Sequence, residues 1–335
     1  MSHHVPPLQS YPFTRMRRTR SAPWIRALTS ETVLTPQDLV WSLVIHDGAE
    51  PRIPVTAMPG VDRLNLDEAA KAARRASELG IPAIAIFPHI DPARKDEAGT
   101  EALNPEGLVP SAIRAMKAAA PEVGIICDVA LDPFTTHGHD GVIDDAGRIL
   151  NDATVEILMD QAVMQVAAGA DVVAPSDMMD GRIGQIRTAL EDAGHHDALI
   201  LSYAAKYASA FYGPYREAIG SAAALTGDKK TYQQDPANSD EAIREVALDI
   251  SEGADMVMVK PGMAYLDIVR RVSENFRVPT LAFQVSGEYA MIQAAAERGW
   301  IDGDRAVLES LLAFKRAGAS AVLSYFSERA AVLMG

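Results

Sequence analysis

Short apolar runs alternate with longer amphipathic stretches along most of this chain. Eight of the runs are rich in Val, Ile and Ala and lack a strict alternation of polar residues, as expected for parallel strands buried on both faces. These predicted strands are residues 39–45, 83–87, 124–131, 171–175, 199–203, 256–260, 280–285 and 321–325. The pattern therefore predicts a sheet of parallel strands separated by helices.

Four of the amphipathic stretches have the acidic start and glycine stop that are typical of helices. They are residues 67–79, 155–168, 240–250 and 305–317, and a glycine follows each of them (Gly80, Gly169, Gly253 and Gly318). The chain repeats one kind of helix–glycine–strand junction, so we predict an α/β fold made of a single (β/α)8 TIM barrel. A doubly wound sheet is the alternative, but no G-x-G-x-x-G motif follows a first strand.

Charge is distributed unevenly along the 335 residues. The net charge is −14, which argues against a nucleic-acid-binding body. Residues 1–30 nevertheless contain five arginines and no acidic residue. We predict that residues 1–35 form an extended N-terminal arm that packs on an acidic neighbouring subunit, and that residues 36–335 form the barrel. Nucleic-acid binding by this arm is the weaker interpretation, because no aromatic stacking pattern accompanies the arginines.

The cysteine and hydropathy patterns indicate a cytoplasmic protein. Cys127 is the only cysteine and lies in an apolar run, so a disulfide framework within the chain is excluded and a buried thiol is expected. No apolar run approaches the roughly 20 residues that a membrane span requires. We expect no membrane partner.

Two lysines stand at the ends of predicted strands, and each is followed by a segment rich in Tyr, Gly and Pro. They are Lys206 and Lys260. A buried lysine with a lowered pKa is the nucleophile that forms Schiff bases with ketones. A lone lysine at a strand end more often extends its ammonium to solvent. Two lysines in the same context favour an enzyme that holds two carbonyl substrates.

Other polar side chains also follow predicted strands, where TIM barrels carry their active sites. This set comprises Asp128, Asp132, Ser176, Asp177, Tyr203, Ser286, Glu288 and Tyr325. One such residue would most simply be a helix cap, but the set as a whole predicts a site at the carboxyl end of the barrel.

Five long motifs in this chain resemble the porphobilinogen synthase (δ-aminolevulinic acid dehydratase) family. They are DVALDPFTTHGHDG (128–141), VVAPSDMMDGR (172–182), AKYASAFYGPYR (205–216), MVKPG (258–262) and QVSGEY (284–289). The resemblance extends from about Tyr11 to Phe326. It implies the condensation of two 5-aminolevulinate molecules to porphobilinogen with loss of two waters, in tetrapyrrole biosynthesis.

The resemblance also implies roles for individual residues. Lys260 matches the Schiff-base lysine of the first substrate, and Lys206 matches that of the second. Arg216 and Lys229 match a cationic clamp for one carboxylate, with Lys230 left open as the alternative to Lys229. Ser286 and Tyr325 match the hydroxyl clamp for the other carboxylate. The remaining positions matched to substrate binding are Ser176, Tyr203, Phe211, Tyr212 and Gln233, and Asp128, Asp132 and Asp140 are matched to the catalytic group.

The metal positions depart from part of that family. Zinc-dependent members have three cysteines where this chain has Ala130, Asp132 and Asp140, so no active-site zinc is expected. The pattern resembles zinc-independent, aspartate-type members, in which Glu245 corresponds to the ligand of an allosteric Mg²⁺ at a subunit interface. His137 and His139 are interpreted as parts of a lid. No organic cofactor is expected.

Two other functions remain open at this stage. A different class I Schiff-base aldolase on the same barrel would need only one lysine. A regulatory protein that used the arginine-rich arm would need neither lysine. The family resemblance also implies a homo-oligomer built from dimers, either an octamer or a hexamer.

Overall fold

The computed structural model describes residues 10–220, 225 and 227–335. The chain divides into two units, Met1–Val33 and Leu34–Gly335. In the first unit, a 3₁₀ helix spans Met16–Arg20 and a short helix, α1, spans Pro23–Leu28. The apolar side chains of Tyr11, Trp24 and Leu28 are largely exposed.

The second unit contains ten strands and ten helices within the described residues. The strands are β1 (Leu39–His46), β2 (Arg52–Pro54), β3 (Asp62–Leu64), β4 (Ala83–His89), β5 (Gly124–Val129), β6 (Val172–Pro175), β7 (Leu199–Lys206), β8 (Met256–Lys260), β9 (Thr280–Gln284) and β10 (Ala321–Ser324). The helices are α2 (Leu66–Leu79), α3 (Leu108–Ala119), α4 (Asn151–Ala167), α5 (Arg182–Asp192), α6 (Gly213–Ala218), α7 (Asp240–Ser251), α8 (Leu266–Phe276), α9 (Ser286–Glu297), α10 (Gly303–Ala317) and α11 (Ser327–Met334).

Eight of the strands close into a parallel barrel. β1 pairs with β4, the order then runs through β5, β6, β7, β8, β9 and β10, and β10 pairs with β1 to close the ring. The eight predicted strands correspond to these eight barrel strands. The predicted (β/α)8 barrel is therefore confirmed, and its polar strand ends lie at one rim.

Helix ends follow their local capping chemistry. At the start of α2, the Asn65 side chain accepts a hydrogen bond from the Glu68 N–H, and at its end Gly80 adopts a left-handed φ of 70°. α10 begins at Gly303 rather than at the predicted residue 305, because the Asp302 side chain accepts the Arg305 N–H and so caps the helix earlier. α4 likewise begins at Asn151, four residues before the predicted start.

Two features of the strands differ most from the prediction. β7 continues past the predicted end at Tyr203 to Lys206, because its last residues pair with β8. The hairpin formed by β2 and β3, which extends the sheet beside the second half of β1, was not predicted. Its strands have only three residues each, which is too short to give a periodic hydrophobic pattern.

Within the described part of the chain, none of the helices combines the length and the apolar character that crossing a bilayer requires.

Candidate active site

Lys206 and Lys260 lie side by side at the carboxyl rim of the barrel. Each is the last residue of its strand, and the two are direct register partners in the β7–β8 ladder. Both are 5% exposed. The two lysines that were singled out from the sequence are therefore brought together in one buried site.

A bulge in β7 produces this alignment. Between the pairs Ser202–Val257 and Ala205–Val259, β7 contains one residue more than β8. An extra residue on one strand reverses the direction in which the following side chains point. Without the bulge, the side chains of Lys206 and Lys260 would not be in register.

The Lys206 ammonium has polar partners. Its Nζ donates to Asp140 Oδ1 at 3.1 Å and to the backbone carbonyl of Ser176. The ring of Tyr203 lies 6.0 Å away. Lys206 is thus held as one member of a buried ion pair.

The Lys260 ammonium lies among aromatic rings. Its Nζ is 4.7 Å from the ring centre of Phe283, and it is 5.0 to 5.4 Å from those of Tyr203, Tyr215 and Tyr212. No hydrogen bond or ion pair reaches this Nζ from the described residues. Burial, together with the positive charge of Lys206, lowers the pKa of Lys260 to about 7, although nearby carboxylates oppose the shift. A substantial fraction of this amine is therefore unprotonated near neutral pH.

Asp140 links the polar half of the site. In addition to Lys206, its carboxylate accepts hydrogen bonds from Lys229 Nζ at 2.5 Å and from the Tyr232 hydroxyl at 2.9 Å. Burial alone would raise the pKa of Asp140, but the charges of Lys206 and Lys229 outweigh burial and hold it well below its usual range. The ionised form of Asp140 is therefore favoured by the two lysines that it bonds.

Lys229 reaches the site and Lys230 does not. Lys229 Nζ bonds Asp132 at 3.0 Å as well as Asp140, and its pKa is raised because these two carboxylates outweigh the effect of burial. Lys230 is exposed and lies 3.8 Å from Asp228. Part of the segment that precedes these lysines, residues 221–224 and 226, lies outside the described residues.

Asp128 is a second carboxylate inside the barrel. Its Oδ1 atom is buried and has no hydrogen-bond partner among the described residues. Burial raises the pKa of Asp128 to about 6, with the charge of Lys260 acting against the shift. A carboxyl group with such a pKa can exchange a proton near neutral pH.

The two hydroxyl groups that were predicted to bind a substrate carboxylate differ in their hydrogen bonding. The Ser286 hydroxyl accepts a hydrogen bond from the Tyr215 N–H at 2.9 Å, whereas the buried Tyr325 hydroxyl is without a partner in the described part of the chain. The Tyr212 hydroxyl donates to the Lys260 carbonyl at 3.2 Å. Phe211 lies on the loop after Lys206, where its carbonyl accepts a hydrogen bond from Ser286. A narrow cavity in the site is lined by Asp132, Ser176, Lys206, Tyr212, Tyr215, Arg216, Lys229, Gln233 and Lys260.

Sequence reasoning missed several side chains that form this site. Tyr215 and Phe283 contact Lys260, and Tyr232 bonds Asp140, yet none of them was selected from the sequence. Tyr215 stands in one of the five motifs, but its contact with Lys260 and that of Tyr232 with Asp140 join residues that are far apart in the sequence, so spacing gives no signal for them.

The two histidines of the loop before Asp140 are buried in the described structure. His137 contacts the Glu97 carbonyl, and the His139 ring lies 3.1 Å from the Tyr232 hydroxyl. Both histidines are therefore buried, with His139 against Tyr232 and His137 beside His139, and they do not face solvent as an open lid would.

The residues at the zinc position do not suit zinc. Asp132 and Asp140 supply oxygen donors that are already bonded to Lys229, while Cys127 is buried in β5, where burial raises the pKa of its thiol. Thiolates are the ligands that family zinc sites of this kind use. Among the described residues, no group of three or more His, Cys, Asp or Glu side chains is placed to hold a metal.

Glu245 lies away from the lysines, on α7. It is half-buried and lines a polar cleft together with Asp180 and Glu241. Burial raises the pKa of Glu245, and Arg182 opposes that shift. Arg148 and Lys230 line the same cleft, and the role of Glu245 as a Mg²⁺ ligand stays a prediction.

Comparison with known proteins gives a consistent result. The family described as Delta-aminolevulinic acid dehydratase matches residues 13–333. The Delta-aminolevulinic acid dehydratase of Bradyrhizobium diazoefficiens is 63% identical over 317 residues, covering 95% of this chain and 90% of the relative. That of Rhodobacter capsulatus is 54% identical over 97% of this chain and 98% of the relative.

A solved structure is also similar. The delta-aminolevulinic acid dehydratase (porphobilinogen synthase) of Toxoplasma gondii ME49, in complex with the reaction product porphobilinogen, superposes with a TM-score of 0.93. It is 47% identical, and the match covers 98% of this chain and 92% of that one.

Proposed function

The chain belongs to the delta-aminolevulinic acid dehydratase family, and from this membership we propose that it condenses two molecules of 5-aminolevulinate to porphobilinogen with loss of two waters. The observation that carries this proposal is the register pairing of Lys206 with Lys260 in one buried site. A reaction that joins two ketone substrates has a use for two amines. The chain is accordingly a lyase of porphyrin biosynthesis.

Lys260 is suited to capture the first substrate. Its unprotonated amine attacks the ketone carbon, the resulting carbinolamine loses the carbonyl oxygen as water, and a Schiff base remains on Nζ. Loss of water requires a proton on the leaving hydroxyl. Asp128, whose pKa is raised to about 6 by burial, is close enough to Lys260 for their charges to interact, and it can supply that proton.

Lys206 is suited to hold the second substrate as a cation. A protonated Schiff base on Lys206 Nζ keeps the positive charge that Asp140 balances at 3.1 Å. Because the pKa of Asp140 is held low, this carboxylate remains ionised and stabilises the iminium without accepting its proton. An iminium carbon is more electrophilic than a ketone, which favours attack by the first substrate.

Charged and hydroxyl side chains at the rim would orient the two substrate carboxylates. Arg216 and Lys229 line the cavity beside Lys206 and Lys260, and their positive charges would bind one substrate carboxylate. The buried Tyr325 hydroxyl has no partner among the described residues and can donate to a carboxylate, and Ser286 is the first residue of helix α9. Ser176, Tyr203, Phe211, Tyr212 and Gln233 complete the proposed substrate contacts.

We propose that the chemistry runs without an active-site zinc. Lys229 already bonds Asp132 and Asp140, and covalent activation through Lys206 replaces Lewis-acid activation of the ketone. Mg²⁺ is proposed at Glu245 as an allosteric ion that acts on assembly. No organic cofactor is invoked.

The chain is proposed to act as a cytoplasmic homo-oligomer, an octamer or a hexamer built from dimers. Residues 1–35 are proposed as its arm, because Tyr11, Trp24 and Leu28 expose 69 to 74% of their surface and a neighbour would cover them. Residues 36–335 form the catalytic unit. Another class I aldolase is not favoured, since such an enzyme would leave one buried lysine without a use.

Borohydride trapping with 5-aminolevulinate tests the function. Reduction should leave adducts on Lys260 and Lys206, mapped by peptide mass spectrometry, and the untreated enzyme should release porphobilinogen. Lys260→Ala should abolish turnover and the first adduct, whereas Lys206→Ala should abolish turnover and still leave Lys260 trappable. Lys230→Ala is the matched control and should behave as wild type. Near-normal porphobilinogen formation by Lys260→Ala would refute the mechanism.

A further inference from the structure

Glu288 is a buried carboxylate to which the proposed chemistry assigns no step. It is the third residue of α9 and is 0% exposed. One oxygen, Oε2, accepts the Val285 N–H at 2.9 Å, which is the usual bond of an acidic residue to its own helix start. The other oxygen serves a different part of the chain.

Glu288 Oε1 binds the loop that follows Lys260. It accepts the N–H of Met263 at 2.8 Å and that of Ala264 at 3.3 Å. Only Pro261 and Gly262 separate Lys260 from this pair of donors. A helix cap does not require these two bonds, so they indicate a second task for the carboxylate.

The same turn of α9 also contacts the loop that follows Lys206. Ser286 accepts the Tyr215 N–H at 2.9 Å. Gly287 packs so closely on Phe211 that a Cβ at this position would clash with the Phe211 backbone. The first turn of α9 therefore contacts both lysine loops, through Ser286 and Gly287 on one side and through Glu288 on the other.

We propose that Glu288 is a positioning residue for Lys260: it fixes the loop 261–264 against α9 and so holds the Lys260 amine among its aromatic rings, facing Lys206. This inference rests on the proposed Schiff-base function. Glu288 touches no reacting atom in this scheme and acts only through the loop.

A carboxylate fits this task better than an amide does. Three backbone N–H groups converge on its two oxygens, and a glutamine would turn an NH₂ donor towards at least one of them. Burial raises the pKa of Glu288 to about 7, and the hydrogen bonds from Val285, Ala264 and Met263 act against that shift. Burial therefore disfavours the negative charge of Glu288, and the three backbone N–H groups stabilise it.

Glu288→Gln tests the proposal, with borohydride trapping rates at each lysine as the readout. The variant should fold, and it should form the Lys260 adduct at least about tenfold more slowly while the Lys206 rate stays within about twofold, since a tenfold change needs only about 1.4 kcal/mol. The kcat should fall by a similar factor with a smaller change in KM. Measurements are made well below the thermal midpoint of the variant.

Glu68→Gln is the matched control, because Glu68 is a buried residue on α2 whose carboxylate accepts hydrogen bonds from the Arg52 and Lys71 side chains and forms no hydrogen bond or ion pair with either lysine loop among the described residues. It should trap both lysines at wild-type rates. A folded Glu288→Gln enzyme with normal Lys260 trapping and normal kcat would overturn the proposal and leave Glu288 as a helix cap. Equal slowing at both lysines would overturn it too, as a general loosening of the barrel.

A second variant covers the case in which Glu288→Gln does not fold. Met263→Pro keeps the carboxylate and removes the 2.8 Å donor at the first position of the 3₁₀ helix Met263–Tyr265. It should give the same selective slowing at Lys260. Failure of the proposed function itself would be recognised separately, because wild type would then form neither adduct.

Discussion

Lys206 and Lys260 are register partners on neighbouring parallel strands, yet their ammonium groups have opposite surroundings. Lys206 is paired with the Asp140 carboxylate, whereas the Lys260 ammonium lies among aromatic rings without a hydrogen bond from the described residues, and the Lys206 charge lowers its pKa. Strand pairing thus places the two amines side by side, and different side chains pack around each of them. One amine is bound by a carboxylate and the other is surrounded by aromatic rings.

Removing the charge at Lys206 should raise the pKa of Lys260. Burial and the Lys206 charge together lower that pKa to about 7, so below pH 7 the amine is increasingly protonated and cannot attack a ketone. In Lys206→Gln, the midpoint of borohydride trapping at Lys260 should move to higher pH by about one unit. The measurement is the pH profile of the Lys260 adduct. Lys230→Gln should leave the midpoint unchanged, and an unchanged or lower midpoint in Lys206→Gln would contradict the coupling.

Lys229 and Lys230 should differ sharply when each is replaced by methionine. Lys229→Met leaves Asp132 and Asp140 without a shared cation in a buried site, a change that costs about 3–5 kcal/mol when one partner of a buried pair is lost. Activity should drop by more than about a hundredfold, or roughly 2.7 kcal/mol of transition-state stabilisation. Lys230→Met, at an exposed residue, should retain wild-type activity and stability.

Porphobilinogen formation and urea unfolding, measured on the same preparations, separate lost chemistry from lost stability in these two variants. Comparable activity in Lys229→Met and Lys230→Met would exclude Lys229 from the site.

Arg182 should be required for the stability of the loop that carries Ser176. Its guanidinium, buried on α5, bonds Asp249 at 2.7 Å and lies 3.9 Å from Asp177. In Arg182→Met both carboxylates lose this cation, so we expect a loss of about 3–5 kcal/mol in the free energy of unfolding. Arg148→Met, which removes an exposed pair with Asp144, should leave the urea midpoint unchanged.

The Arg182→Met deficit should depend on pH. Burial raises the pKa of Asp177 to about 6 from its ordinary value of 3.8 even with Arg182 present. A carboxyl whose folded pKa is raised binds more protons in the folded state, so stability falls as pH rises through that window. The Arg182 charge lowers the pKa of Asp177, so removing Arg182 should raise this pKa further. The loss of stability caused by Arg182→Met should therefore be larger at pH 8 than at pH 5. A deficit of equal size at both values would contradict this assignment.

The barrel and its two lysines could be predicted because both leave local signals. Buried parallel strands are continuous apolar runs, and Lys206 and Lys260 directly follow such runs. The partners of these lysines could not be predicted in the same way. Phe283 lies beside Lys260 because β9 pairs with β8, Tyr215 reaches Lys260 from α6, and the bulge that aligns the lysines depends on how β7 pairs with β8, so none of these has a fixed spacing along the chain. Glu288 was noted as a polar residue at a strand end, but its bonds to Met263 and Ala264 follow only from the folded loop.

Deleting residues 1–33 should reduce the size of the assembly. The exposed Trp24 and Leu28 side chains of this unit have little apolar cover of their own, so we expect a neighbouring subunit to bury them. Light scattering should give a smaller species for the truncated chain, with the barrel still folded by circular dichroism. Trp24→Ser in the full-length chain should act in the same direction, and Trp300→Ser, at an exposed tryptophan beyond α9, is the control. An unchanged oligomer after truncation would refute the arm's role.

Metal removal should separate chemistry from assembly. Because Asp132 and Asp140 bond Lys229 and no thiolate stands beside them, exhaustive EDTA treatment should leave borohydride trapping at both lysines intact. Added Mg²⁺ should increase the oligomer size, and activity should rise with it, since Glu245 lies on α7 in a cleft lined by Asp180 and Glu241, apart from the lysines. Glu245→Gln should remove the Mg²⁺ response in light scattering and leave trapping unchanged, with Glu156→Gln on α4 as the control. Inactivation by EDTA that only zinc reverses would overturn the zinc-free chemistry, and a Mg²⁺ response that survives in Glu245→Gln would place the ion elsewhere.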